Sequence, residues 1–395
     1  TFDTNGNSIW FANAVGNNGA GSLTKSGLGT LILQAANTYT GATAVAAGVL
    51  NLQNATAVSA SNGVTVSAGA ALSLQGALNF GAKPLTLSGS GDIAAMPGAL
   101  VNVRDANTYA GALTLAASST ISADAGTLTL SSATAVTGSG FTLTLAGAGN
   151  GSLAGALQTG SGGLAKTGNG TWTLSSSSSN FTGSTSLLGG TLSIAGGALG
   201  STTGTTFGGG TLALTSGSQA LGNLTLSANT SSRITLASGT TLSLGSTITR
   251  AAGSLLAVDL SAGGGAALST TATSTGTNNL LGYVLVTDAT GTGIGSIAGG
   301  VLSRFDSSSA TGLTAASNDG AADFTTAGNA GELRRGTACR RRGHCVKFSY
   351  PRLVQHPVQE CRPASCRIAQ LEERRGPLWC RDFGGLFKDQ HTGNG

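Results

Sequence analysis

Charge is what this 395-residue chain has least of: Asp, Glu, Lys and Arg make up 9% of it, where an ordinary globular protein carries roughly 25%. A helical protein needs such residues to wet its outer faces, so a helical architecture is excluded on composition. Aromatics are scarce as well, at 5%. A β-sandwich of this length would need them between its sheets, which makes that alternative the weaker β reading. Proline occurs only six times, and glycine keeps no strict third position, so collagen is excluded. The 40% of hydrophobic residues combined with little charge also argues against a disordered chain, because such a sequence can bury a core.

Cysteine and histidine are absent from positions 1–332; all five cysteines and all three histidines fall within 333–395. The charges divide at the same place. Residues 1–332 hold seven basic and ten acidic side chains, whereas 333–395 hold thirteen basic and five acidic ones. The basic character of the whole chain therefore belongs to its tail, and no nucleic-acid partner is inferred for the body.

What the body does contain is a repeated strand. GTLIL (29–33), GVLNL (48–52), AALSL (70–74), GTLTL (126–130), GTWTL (170–174), GTLSI (190–194) and GTLAL (210–214) each place an apolar residue at every second position. That alternation gives one buried face and one face of Thr, Ser or Asn, and Gly/Asn clusters between the strands supply the turns. Spacings of roughly 20 residues predict a right-handed parallel β-helix, a β-solenoid, over positions 1–332. Leu31, Leu33, Leu50, Leu52, Leu128, Leu130, Leu192 and Leu212 are expected to point inward.

A longer unit recurs within this texture. Residues 21–52 align with 162–194: Lys25, Gly27, Gly29, Thr30 and Leu33 match Lys166, Gly168, Gly170, Thr171 and Leu174, and Tyr39, Gly41, Gly48 and Leu50 match Phe181, Gly183, Gly190 and Leu192. A partial copy stands at 106–115, with Asn107, Tyr109 and Gly111. The glycines read as tight turns ahead of strands. Tyr39 and Phe181 read as corner plugs in the core, and Asn37 and Asn107 as members of turn ladders. Lys25 and Lys166 precede the turn, where an ammonium can cap a carbonyl or stay solvated.

The unit G-x-L-x-K-x-G-x-G-T-L-x-L … N-T-Y-x-G-x-T … G-x-L-x-L resembles the passenger-associated transport repeat of bacterial autotransporters. That resemblance implies a β-helical passenger at the surface of a Gram-negative cell or secreted from it, exported through an outer-membrane β-barrel translocator that this chain does not contain. It implies a non-enzymatic stalk or adhesin whose repeats assist export and folding, and whose partners are host, matrix or neighbouring-cell surfaces, or other copies of itself. The family brings no catalytic residues.

The residues themselves offer little chemistry. The body's seventeen charges are scattered, and Arg104 beside Asp105, the densest cluster, reads as an exposed pair. Without His or Cys, the body has no Ser-His-Asp or Cys-His arrangement and no His/Cys metal site. GGG at 208–210 and 263–265 lacks the Asp of a calcium-binding nonapeptide. No catalytic, cofactor-binding or metal-ligating residue is assigned, and no cofactor is expected. The alternative class, a β-solenoid enzyme acting on polysaccharide or a glycan-binding module, would need a groove lined with carboxylates.

No signal peptide is visible and no apolar run reaches the ~20 residues needed to span a bilayer, so the chain reads as an internal fragment of a larger precursor. The tail, 333–395, is rich in Arg, Cys and Pro. Its Cys spacings contain no C-x-x-C pair, which disfavours zinc. Its composition matches a shifted, GC-rich reading frame, and it is expected to leave the solenoid and stay disordered.

Overall fold

The structure, a computed structural model, describes residues 1–305 apart from 17, 92–95 and 273–279, together with the backbone of Thr337–Cys339 and Cys345–Lys347. The described residues of 1–305 form an all-β parallel solenoid of about 12 turns, without a helix. The alternation seen in the sequence becomes its coils. Thr30–Leu33 is buried at Leu31 and Leu33, and Thr127–Leu130 at Leu128 and Leu130. All eight leucines expected to point inward are buried.

Pairing is in register and parallel. Leu31 sits beside Leu50 of the next coil, and Leu50 beside Leu72 of the coil after that. One 19-stranded sheet carries two columns of strands, joined where the long strand Leu113–Ala123 pairs at one end with Leu85–Gly89 and at the other with Leu100–Asn102. A 15-stranded sheet forms the wall from Asn79–Phe80 to Leu280–Asp288 and, through Val301–Arg304, also takes in a second parallel column of Ser218–Ala220, Thr241–Leu244 and Ala267–Thr270. Its inward column runs Leu128, Gly151, Trp172, Leu192, Leu212, Ile234, Val258 and Val286. The neighbouring outward column runs Thr108, Thr129, Ser152, Thr173, Ser193, Ala213, Thr235, Asp259 and Thr287. Leu, Ile and Val thus stack from coil to coil while hydroxyls face out, and burial of the apolar column drives the assembly. The column stays filled by matching sizes between adjacent coils. Gly151 lies against the indole of Trp172, where an added Cβ would come within 2.5 Å of ring atoms, and the indole Nε1 donates to the Ala146 carbonyl at 2.9 Å.

Within the described residues, parallel pairing gives way near the end to antiparallel pairing. Leu280–Asp288, Gly291–Ala298 and Val301–Arg304 form an antiparallel meander, and Val301 also pairs antiparallel with Ser269. Turn chemistry accounts for the change. The Asp288 carboxylate accepts hydrogen bonds from the Thr290 and Gly291 amides, folding the chain straight back on itself. Gly299 and Gly300, both with positive φ, make the second reversal. Around it, Arg304 pairs with Asp288 at 3.0 Å and the Arg250 guanidinium lies over the Tyr283 ring.

By internal contacts the chain divides into Thr1–Ser317 and Asn318–Gly395. In the second unit, Thr337–Cys339 and Cys345–Lys347 pair antiparallel in a sheet of their own. The compositional boundary at 332/333 and the expected disorder of the tail otherwise lie outside the described residues.

Candidate functional site: the lysine corners of the two repeats

Each repeat begins with a strand whose alternation brings a lysine to the inward side. In Leu23–Ser26 both Leu23 and Lys25 are buried; in Leu164–Lys166 both Leu164 and Lys166 are. Lys25 and Lys166 are 0% exposed and among the largest fully buried side chains of the protein. Neither is solvated, so that part of the sequence expectation is corrected, while the carbonyl-capping part holds. Lys25 Nζ donates to the carbonyls of Ser26 (2.9 Å), Gly27 (2.7 Å) and Ala47 (3.0 Å). Lys166 Nζ makes the same three bonds in the second repeat, to Thr167 (2.6 Å), Gly168 (2.9 Å) and Gly189 (3.2 Å). Three N–H donors meet three acceptors, which offsets the cost of bringing an ammonium out of water.

The repeat glycines make the corner possible. Gly27, Gly29 and Gly168 have positive φ, and the Gly27 and Gly168 carbonyls face the ammonium; Gly170 does not share that conformation and directly precedes the strand Thr171–Leu174. Gly48 and Gly190, one coil later, clear the ammonium itself: a Cβ there would come within 2.9 Å of Lys25 Nζ and 2.7 Å of Lys166 Nζ. Burial pushes the Lys166 ammonium down to about 8 from its ordinary value near 10.5.

A second buried cluster follows in each repeat. Tyr39 and Phe181 are buried plugs, as the sequence indicated. The Tyr39 hydroxyl is 2.7 Å from Thr43 Oγ1, which in turn donates to Ser61 Oγ at 3.0 Å. In the second repeat Thr185 Oγ1 donates to Thr202 Oγ1 at 3.2 Å, and Phe181 needs no hydroxyl partner. Ser61 and Thr202 each donate to the carbonyls of a glycine pair, Gly41 with Gly63 and Gly183 with Gly204. Burial raises the Tyr39 phenol pKa, with the Thr43 hydrogen bond opposing it.

Asn37 and Asn107 do not stack as ladders running from coil to coil. Asn37 accepts from the Val15 amide and donates to the Ala57 carbonyl, tying the coil before it to the coil after it. Asn107 accepts from Leu78 N and donates to Asn102 Oδ1 and the Arg104 carbonyl. The partial copy at 106–115 is also built differently from the other two. Tyr109 lies within the strand Ala106–Tyr109 and donates to the Lys83 carbonyl, whereas Tyr39 lies between strands. Arg104 and Asp105 form the exposed pair expected of them, 3.7 Å apart.

Sequence reasoning missed the hydroxyl pairs Thr43–Ser61 and Thr185–Thr202 and the buried Gln219, which accepts from Leu199 N and donates to the carbonyls of Gly200 and Ala220. The lysine position was available: in L-T-K and L-A-K the lysine stands two residues after an inward leucine. Among the described residues, no three His, Cys, Asp or Glu side chains group as a metal site would. The buried lysines and the hydroxyls of the two repeats, Lys25, Lys166, Tyr39, Thr43 and Thr185, spend their hydrogen bonds on the protein's own backbone and hydroxyls.

No curated protein and no solved structure matches the chain significantly. The passenger-associated-transport-repeat family matches twice, at 23–52 and 164–194, and each match holds one lysine, its turn glycines and one aromatic plug. Two passenger-associated-transport-repeats wound into a parallel β-solenoid make this chain similar to the autotransporter passenger repeat proteins.

Proposed function

We propose that the solenoid is a structural segment of an autotransporter passenger: a non-enzymatic stalk or adhesin, displayed on the surface of a Gram-negative cell or released from it, whose repeats assist folding and export. One observation carries this reading. The groups that define the repeats, Lys25, Tyr39 and Thr43 with Lys166, Phe181 and Thr185, are all consumed in holding coils together and present nothing to a ligand. The columns left facing solvent are mostly Thr and Ser. They suit broad, weak contact with host, matrix or neighbouring-cell surfaces, or with further copies of the chain, better than a bond-breaking reaction. An outer-membrane β-barrel carrying the passenger across the membrane completes the arrangement.

The test is to display the chain on bacterial cells through a barrel translocator, then measure cell settling and retention on matrix-coated surfaces. Aggregation or adhesion above cells carrying the barrel alone is expected. Purified chain should release no reducing ends from polysaccharides. Turnover abolished by replacing a single aspartate would overturn the reading in favour of a solenoid enzyme.

A further inference from the structure

Lys25 and Lys166 stand in inward columns whose neighbouring coils on both sides carry apolar residues. Along the register Lys25 stands between Phe2 and Val45, and Lys166 between Leu145 and Leu187. An apolar side chain fills the position in adjacent coils without any desolvation cost, so packing alone does not call for lysine. What lysine adds is a condition. Two of its three acceptors come from its own turn, but the third, the Ala47 or Gly189 carbonyl, comes from the turn one coil later.

We propose that Lys25 and Lys166 are register keys, buried charges that select the native pairing of successive coils over near-equivalent alternatives. The solenoid needs such a device because its strands are almost interchangeable. Leu143–Ala146, Leu164–Lys166, Thr185–Leu187 and Gly204–Phe207 share one alternation, and an aliphatic stack accepts any of them beside any other. A slip of two residues keeps every inward residue inward. It also carries the lysine ~7 Å from the distal carbonyl, leaving a buried ammonium short of an acceptor. Skipping a coil is blocked at the first key, because Gly48, which clears Lys25 Nζ, pairs with Ala70, and a skip would bring Ala70 into its place. The same logic lets one buried polar residue fix the register of a coiled coil at some expense in stability.

The proposal rests on reading the repeats as folding elements of a passenger, but its test does not involve adhesion, so either can fail alone. The full chain is unfolded in denaturant and refolded by dilution as wild type, as K25M/K166M, and as L187M, an aliphatic control one coil after Lys166. Methionine keeps length and removes charge. The double variant is expected to unfold within a few degrees of wild type, or above it, once native protein is isolated. Its native yield on refolding should fall by half or more, with new species seen by native gel electrophoresis and limited proteolysis, while L187M refolds like wild type. A double variant that refolds as cleanly as wild type would overturn the proposal. So would native protein that is much less stable than wild type, because the lysines would then be ordinary stabilising contacts. If the double variant yields no native protein, K25M and K166M decide singly. Each should show lost hydrogen-exchange protection confined to its own repeat, 23–52 or 164–194, and chain-wide failure from either would overturn the idea.

Discussion

Replacing Lys166 by methionine should change how stability depends on pH, and the sign follows from the corner's geometry. The ammonium is fully buried and burial lowers its pKa from 10.5 to about 8, so the folded chain holds this proton more weakly than the unfolded chain does. Below pH 8 both states carry the proton and the folded state bears the full cost. Between pH 8 and 10.5 the folded state releases it first, and stability rises with pH; above 10.5 the gain is complete. At ~1.4 kcal/mol per tenfold the gain is on the order of 3 kcal/mol. The buried phenols act in the opposite sense. Tyr39, Tyr109 and Tyr283 have raised pKa values, so their ionisation near pH 10 favours the unfolded chain. The informative window is therefore pH 7–9.5, and the quantity to measure is wild type minus K166M. Urea unfolding can be followed by the fluorescence of buried Trp172, in the strand that leaves the lysine turn, with Trp10 and Trp379 replaced by Phe. The difference should climb with pH in favour of wild type. A difference that is flat, or that falls, would refute the assignment of the buried charge as a cost.

Three further outcomes follow from the packing. G151A places a Cβ within 2.5 Å of the Trp172 ring and should cost about 1–3 kcal/mol by thermal unfolding, whereas G21A, with open space around it, should be neutral. T43V should destabilise more than T185V, since it strands the Tyr39 hydroxyl where the second repeat has Phe181; about 1–2 kcal/mol is expected against half that, read by urea titration. Burial would raise the Asp288 pKa, yet hydrogen bonds from Thr290 and Arg304 hold it below the ordinary carboxylate value. Its stabilising effect is therefore present above pH 4 and lost as pH falls through the lowered pKa, and D288N should flatten that acid limb in a melting series from pH 6 to 2.

The coil architecture was legible because burial with period two leaves the same imprint on every strand: wherever G-T-L-x-L stands, a strand stands with its leucines inside. Lys25 and Lys166 were half legible. Alternation places them inward, but a lysine's ordinary preference for water argues outward, and only the third carbonyl, supplied by the following coil, decides between the two. The closing meander escaped notice because V-L-V-T-D and I-G-S-I-A alternate like any other strand; pairing direction resides in the Asp288 turn and in Gly299–Gly300 rather than in the strands. The hydroxyl pairs were hidden for a related reason. Alternation places Thr43 and Thr185 inward, two residues before Val45 and Leu187, but Thr and Ser face outward along most of the solenoid, and Ser61 and Thr202 lie outside the strands where no alternation marks them as buried.

The central claim, coils stacked parallel and in register, is tested most directly by distances along one outward column. Thr108, Thr129, Thr235 and Thr287 belong to that column, with Thr235 five coils beyond Thr129 and Thr287 eight coils beyond Thr108. With the five tail cysteines replaced by serine, spin labels at T129C/T235C and T108C/T287C should be separated by ~24 Å and ~38 Å, at ~4.8 Å per coil, as read by pulsed electron–electron resonance. Distances that rise in proportion to the number of coils support the solenoid. Two pairs at similar separations, as a sandwich or hairpin stack would give, would contradict it.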